Sequence, residues 1–138
     1  MEINITIPGD PKTQQRHRTF KRGTFTGTYD PSANDKKDLL LLAYDKRPEQ
    51  PLLGPLSLTL KLYYSRPKIH YRTGKRSNEL REDCPMFHIS TPDIDNCYKL
   101  VSDGLASVFY RNDSQICMLQ VIKFYSENPR TEILIETL

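Results

Sequence analysis

The fold turns on residues 91–116, TPDIDNCYKLVSDGLASVFYRNDSQI. From Asp93 onward the apolar residues Ile94, Cys97, Val101, Leu105 and Val108 recur at spacings of three and four. That period places them on one face of an α-helix, which needs a sheet to pack against. Asn112-Asp113-Ser114 predicts a turn, and Ile116, Met118 and Leu119 lead into a strand that runs through Tyr125. A one-sided helix followed directly by a strand implies helix layered on sheet.

The flanking sequence extends that layer. Ile3, Ile5 and Ile7 alternate with polar residues and predict a strand over 2–7, ended by Pro8-Gly9-Asp10. Residues 11–31 carry Lys12, Arg16, His17, Arg18, Lys21 and Arg22 with little periodicity, and read as a basic mobile arm or loop. Ser32-Ala33-Asn34-Asp35 supplies cap and first-turn residues for a helix through KKDLLLLAYDKR, which Pro48 stops. Leu56, Leu58, Leu60 and Leu62 alternate with polar neighbours, a half-buried strand. Residues 65–90 are the longest stretch without a pattern; such a loop in a compact domain is usually functional or disordered. Glu127-Asn128-Pro129-Arg130 turns the chain into a last strand with Ile133 and Ile135. The order β-α-β-loop-α-β-β predicts one α+β (α/β-like) domain over 1–138, a mixed β-sheet packed with two main helices.

Length and charge narrow the class. The chain of 138 residues suits a single domain with a real core. Twenty Lys plus Arg against 17 Asp plus Glu give a net charge of only +3, too small by itself to assign a nucleic-acid partner. Clustering is more telling: residues 12–22 hold five Lys or Arg, and residues 66–81 hold six, including Arg66, Lys68, Arg72, Lys75 and Arg76. Such clusters make salt-dependent contacts with phosphates. The three cysteines form no CxxC pair and are odd in number, which fits free thiols in a reducing compartment. The N-terminus has no secretory pattern and no apolar run approaches the roughly 20 residues of a membrane span. A cytoplasmic protein is expected.

The acidic residues carry the chemistry. Asp93 and Asp95 are two apart, a spacing that diverges on a helix yet can aim both carboxylates to one side at a helix entry. Like charges held together call for compensation, and a hard divalent cation such as Mg²⁺ supplies it through oxygen ligands. Bound there, it would polarise a phosphodiester and acidify a water. Two competing readings exist: capping of the helix N-terminus, and (i, i+4) ion pairs of Asp95 with Lys99 and Lys99 with Asp103. Distance matters too. A straight helix over 94–106 carries its end roughly 20 Å from Asp95. Asp113 therefore reaches the same ion only if residues 107–113 double back, or if a second subunit completes the site.

The run Asp93-x-Asp95-Asn96, with Lys99 four residues later, then Asp113-x-Gln115 and a strand with Lys123, resembles the RusA family of Holliday junction resolvases. IPGDPKTQQRHR at the start is similar to that family's strand end with basic residues. The resemblance implies a dimeric RusA-like fold, with Asp93, Asp95 and Asp113 as metal-binding carboxylates and Lys99 an essential basic residue near the scissile phosphate. Asn96 and Asp103 also recur in the pattern. It implies Mg²⁺ (Mn²⁺ as the alternative ion) and a homodimer that resolves four-way junction DNA by two symmetric nicks. Lys12, Arg16, Arg18 and the 66–76 loop would hold the DNA arms.

Rival chemistries have thinner support. Cys84 and His88 supply only two zinc ligands. His17, His70 and His88 read as surface or DNA-contacting residues, with His88 closest to the acidic pair. No P-loop or GxGxxG is present, so a nucleotide cofactor is not expected. Asp95 and Lys99 are four apart, whereas restriction-type nucleases place an acid two before the lysine. A flap nuclease or a non-catalytic branched-DNA binder remains the alternative.

Overall fold

A computed structural model describes residues 1–138. The strands are β1 (Glu2–Pro8), β2 (Arg18–Arg22), β3 (Phe25–Tyr29), β4 (Leu56–Ser65), β5 (Ile116–Ser126) and β6 (Arg130–Thr137). The helices are α1 (Ala33–Ala43) and α2 (Ile94–Leu105). Four strands form one mixed sheet in the order β1-β6-β4-β5, with β4 and β5 parallel and the other pairs antiparallel. The α+β architecture expected from the sequence is the one found.

The core follows the leucine alternation. Leu56, Leu58, Leu60 and Leu62 of β4 are buried on the helix side, flanked by Ile133 and Ile135 of β6 and Ile3, Ile5 and Ile7 of β1. Each such side chain removed from water contributes about 1.5–3 kcal/mol. Asn4, Thr6, Thr59, Lys61, Gln120 and Glu132 line the opposite, polar face. Cys97, Leu100, Val101 and Leu105 press α2 onto the sheet, while α1 contributes Leu39 and Ala43. The helices meet closely at Gly104, where a Cβ would stand 2.9 Å from Leu39 Cδ2. No helix is long and apolar enough to cross a membrane.

Several local expectations are corrected. The basic segment 11–31 is no featureless arm, because β2 and β3 pair as an antiparallel hairpin. Its two-residue turn places Gly23 at φ +60°, the left-handed conformation that favours glycine. Nearly every side chain of the hairpin is exposed, so neither face imposed an apolar alternation. Helix α1 ends at Ala43 in a short 3₁₀ turn over Tyr44–Lys46, before Pro48 is reached. Ser32 occupies the cap position, but its hydroxyl accepts the Gln15 N–H at 2.8 Å and caps nothing. Ile94 is 47% exposed, so the apolar stripe of α2 begins at Cys97. Beyond the helix, Phe109 and Tyr110 are fully buried, and the Tyr110 hydroxyl donates to Ser102 O at 2.6 Å.

Residues 65–90 are mostly irregular, with 3₁₀ turns over Lys68–His70 and Gly74–Arg76. Their end is tied to β5: His88 N–H donates to Lys123 O and Tyr125 N–H to Met86 O.

Candidate active site and nucleic-acid interface

Asp93 immediately precedes α2 in an extended conformation, and Asp95 lies in the first turn. The Asp93 carboxylate accepts no capping hydrogen bond; its backbone carbonyl alone receives the Cys97 N–H. Asp93, Asp95, Asn96, Lys99 and Asp113 are all exposed. The ion pairs of the chain are made by other residues. The expected helix pairs of Lys99 are therefore not formed, and Asp103 faces Lys36 of α1 at 3.6 Å instead. The ion-pair reading thus loses its contacts, whereas Asp93 at the cap and Asp95 in the first turn still meet the favourable field of the helix N-terminus.

Asp113 opens a single 3₁₀ turn fixed by reciprocal bonds. Asn112 Oδ1 accepts the Ser114 N–H and Gln115 Oε1 accepts the Asn112 N–H, each at 2.9 Å. Gln115 Nε2 then donates to Leu52 O and Gly54 O, both at 3.0 Å. Gln115 is thus a clamp that holds the Asp113 turn against the loop before β4. Its resemblance to a motif was visible in the sequence, but its carbonyl partners, 61 and 63 residues away, were not.

Burial raises the Cys97 thiol pKa, and the charges of Asp95 and Asp93 push the same way. Burial likewise raises Tyr98, where Asp113 and Asp103 add to the shift. No three His, Cys, Asp or Glu side chains come together to hold an ion. The free single chain thus does not assemble the three carboxylates into a cage. The chemistry of the donors still fits a hard cation: Mg²⁺ is commonly held by one or two carboxylates plus substrate phosphates, and Asp93 with Asp95 offers two free ones.

The first basic segment docks on the same helix. Gln14 N–H donates to Asn96 O at 3.1 Å, docking the chain before β2 against α2. A polar recess of ≈ 380 Å³ results, lined by Gln14, Gln15, Arg16, His17, Asp30, Lys36, Lys99 and Asp103. Arg16 and Lys99, 83 positions apart in the numbering, thus border one space. Lys12 and Arg18 are exposed nearby in the chain. Asp30 braces the recess. Its carboxylate accepts from Lys36 Nζ at 2.8 Å, Gln14 Nε2 at 2.8 Å and Ser32 N–H at 2.9 Å. Those donors, Lys36 first, hold its pKa far below the usual carboxylate range. Sequence reading missed Asp30 because nothing local shows that Gln14, 16 residues earlier, and Lys36 of α1 meet on its carboxylate.

In the second basic segment the cations differ in commitment. Lys68 and Lys75 are exposed, whereas Arg76 pairs with Glu79 at 2.7 Å and Arg72 lies 4.0 Å from Glu79 and 3.9 Å from Glu82. Lys68, Tyr71, Arg72 and Arg81 border a groove of ≈ 610 Å³. Arg66 is the most engaged, donating to Pro85 O at 2.8 Å beside the Tyr125 ring. His88 stacks on Tyr64 with centroids 4.1 Å apart, and His70 meets Tyr125 edge-on at 4.6 Å. Burial lowers the pKa of both imidazoles, helped by Arg66 at His70 and by Lys123 at His88. Both rings are structural parts of an aromatic cluster.

The chain is 36% identical over 135 residues to the uncharacterized protein YqaN of Bacillus subtilis (strain 168), an alignment covering 96% of this chain and 94% of the relative. Residues 8–136, from the end of β1 to the penultimate residue of β6, match the family described as endodeoxyribonuclease RusA. That span includes the acidic pair, Lys99, the Asp113 turn and both basic segments, and by it the chain belongs to the RusA endodeoxyribonuclease family.

Proposed function

We propose that the protein is a Mg²⁺-dependent, structure-selective endodeoxyribonuclease that resolves four-way DNA junctions by paired symmetric nicks, acting as a homodimer. The observation that carries this reading is the set of exposed, unpartnered groups on one helix and the turn after it: Asp93, Asp95, Lys99 and Asp113. None of the four side chains forms an ion pair or side-chain hydrogen bond within the chain. Their freedom suits groups that await a cation and a phosphodiester.

Asp93 and Asp95, with Asp113 of the same or a second subunit, would hold Mg²⁺ or Mn²⁺. Bound there, the ion supplies Lewis-acid polarisation of the phosphoryl oxygen and a water of lowered pKa. Lys99 places a fixed positive charge beside the oxygens that become more negative as the P–O bond is cleaved. Arg16, across the recess from Lys99, fixes an adjoining phosphate, while Lys12, Arg18, Lys68 and Lys75 supply further salt-sensitive contacts. Arg66, Arg72 and Arg76 belong to the same interface only where DNA displaces their present partners. Two such sites related by a twofold axis match equivalent strands of a junction.

Incubation with a mobile four-way junction and a matched linear duplex, each with and without Mg²⁺, tests the reading. Paired nicks in the junction alone, and only with the ion, are expected. Binding without cutting would convert the protein into a branched-DNA binder. Preferential cutting of flaps would reassign its substrate. A monomer on the junction would remove the explanation of paired nicking.

A further inference from the structure

Lys123 is a cation spent on two backbone carbonyls. From the middle of β5, its ammonium donates to Ser90 O at 2.5 Å and to Pro92 O at 2.6 Å. Asp93 is the next residue, and α2 begins immediately after it. The same stretch is attached to β5 through its backbone, since Lys123 O receives the His88 N–H at 3.1 Å. One residue of β5 thus grips the approach to the acidic pair twice, once with its carbonyl and once with its side chain.

A second anchor works from inside the fold. Tyr64 Oη and Cys97 Sγ are 3.1 Å apart, and the Tyr64 ring lies beneath both His88 and the Lys123 ammonium, 6.0 Å from the latter. The first turn of α2 is therefore held by Cys97 on its buried side and by the Lys123 bonds on its approach. Without Lys123, residues 89–93 would retain no side-chain bond to the sheet, and Asp93 makes none of its own. Charge-assisted bonds are among the strongest available at such a site, and their geometry fixes direction as well as distance.

We infer that Lys123 is a positioning residue that sets the direction of the Asp93 and Asp95 carboxylates by tying the two carbonyls before them to β5. This rests on the reading of Asp93 and Asp95 as ion ligands, although the strut itself does not. Residues that orient metal ligands typically change ion affinity or activity by about 10–100-fold when removed.

The test compares Lys123→Met, which keeps the aliphatic stem and loses the donors, with Lys123→Arg, which restores donors and charge. Calorimetric Mn²⁺ binding without DNA, junction binding in Ca²⁺, thermal unfolding and amide hydrogen exchange are measured for each. Lys123→Met should weaken Mn²⁺ binding by about 10–100-fold. It should also speed exchange of the His88 and Cys97 amides, the bonded N–H groups on either side of the strut, while leaving junction affinity and the unfolding temperature near parental values. Lys123→Arg should recover part of the Mn²⁺ affinity. Parental Mn²⁺ binding and parental exchange in Lys123→Met would overturn the inference. So would a fall in unfolding temperature with faster exchange throughout the sheet, which marks an ordinary fold stabiliser. If Lys123→Met does not fold, Lys123→Gln takes its place with the same outcomes. If the parent protein itself binds no Mn²⁺ and cuts no junction, the reading of the acidic pair falls separately. Exchange at His88 and Cys97 then decides the strut alone.

Discussion

Asp30, just before α1, and the Asp93–Asp95 pair at the start of α2 are acidic sites built in opposite ways. Asp30 receives three hydrogen bonds, from Lys36, Gln14 and Ser32, which join the segment before β2 and the start of α1 to the end of β3. Asp93 and Asp95 receive none from their own chain and face solvent. The first carboxylate has been consumed by folding; the second two have been withheld from it. In a protein with a net charge of +3, partners for them were not scarce. The contrast separates acids that hold structure from acids reserved for an outside partner, without reference to any bound ion.

The largest expected break of that contrast is Asp95→Asn. Loss of one proposed ligand should reduce junction nicking by at least about 10²-fold, judged by the effect of removing a single transition-state-stabilising group. Stability should stay within about 0.5 kcal/mol, because an exposed residue without partners contributes little. Junction binding should be unchanged or tighter, since a negative charge near phosphates is removed. Nicking assays on denaturing gels, with chemical denaturation of the same preparation, check all three. Parental nicking by Asp95→Asn would sink the assignment of the acidic pair. Leu60→Ala should do the reverse: this side chain is fully buried in the central strand, and its truncation should cost about 2–5 kcal/mol of folding stability.

That division also explains what could be read in advance. Leu56 to Leu62 alternate because β4 has one face in the core and one in polar surroundings, so local pattern and tertiary burial agree. Cys97, Val101 and Leu105 were readable for the same reason. Ile94 was misread as core because helical spacing continues past the point where the sheet stops lying beneath it. The β2–β3 hairpin was missed because neither of its faces is buried, which leaves strand pairing without an apolar signature. The candidate acids were legible as a motif; their failure to gather three at a time within one chain was not, since that depends on how residues 106–113 leave α2. Arg66 looked like a free cation because sequence cannot show that Pro85 O takes its guanidinium.

Asp30 sharpens the contrast through pH. Its carboxyl is held far below the usual range when folded and returns to about 4 when the chain unfolds. A depressed folded pKa means that its stabilisation is present above about pH 4 and is lost as acid titrates the folded group. Asp30→Asn should therefore lower the unfolding temperature at neutral pH and flatten its decline between about pH 4 and pH 2. Thermal scans of parent and variant across that window measure both effects. An unchanged acid limb would show that the three donors around Asp30 do little for the fold.

The smallest effect concerns cations, where the same distinction applies. Arg16 is exposed and borders the recess with Lys99, while Arg76 is already paired with Glu79 at 2.7 Å. If each phosphate contact releases one condensed counterion, Arg16→Ala should weaken junction binding and reduce the slope of log affinity against log salt by about 1. Arg76→Ala should change the slope by less, because DNA must first break an existing ion pair and the freed Glu79 opposes the phosphate. Junction titrations by fluorescence anisotropy at several salt concentrations, in Ca²⁺ to prevent cutting, measure both slopes. Equal slopes for the two variants would mean that pairing within the free chain does not govern which cations meet DNA. Lys99, free on its own helix, would then lose part of the reason for which it is assigned to the scissile phosphate.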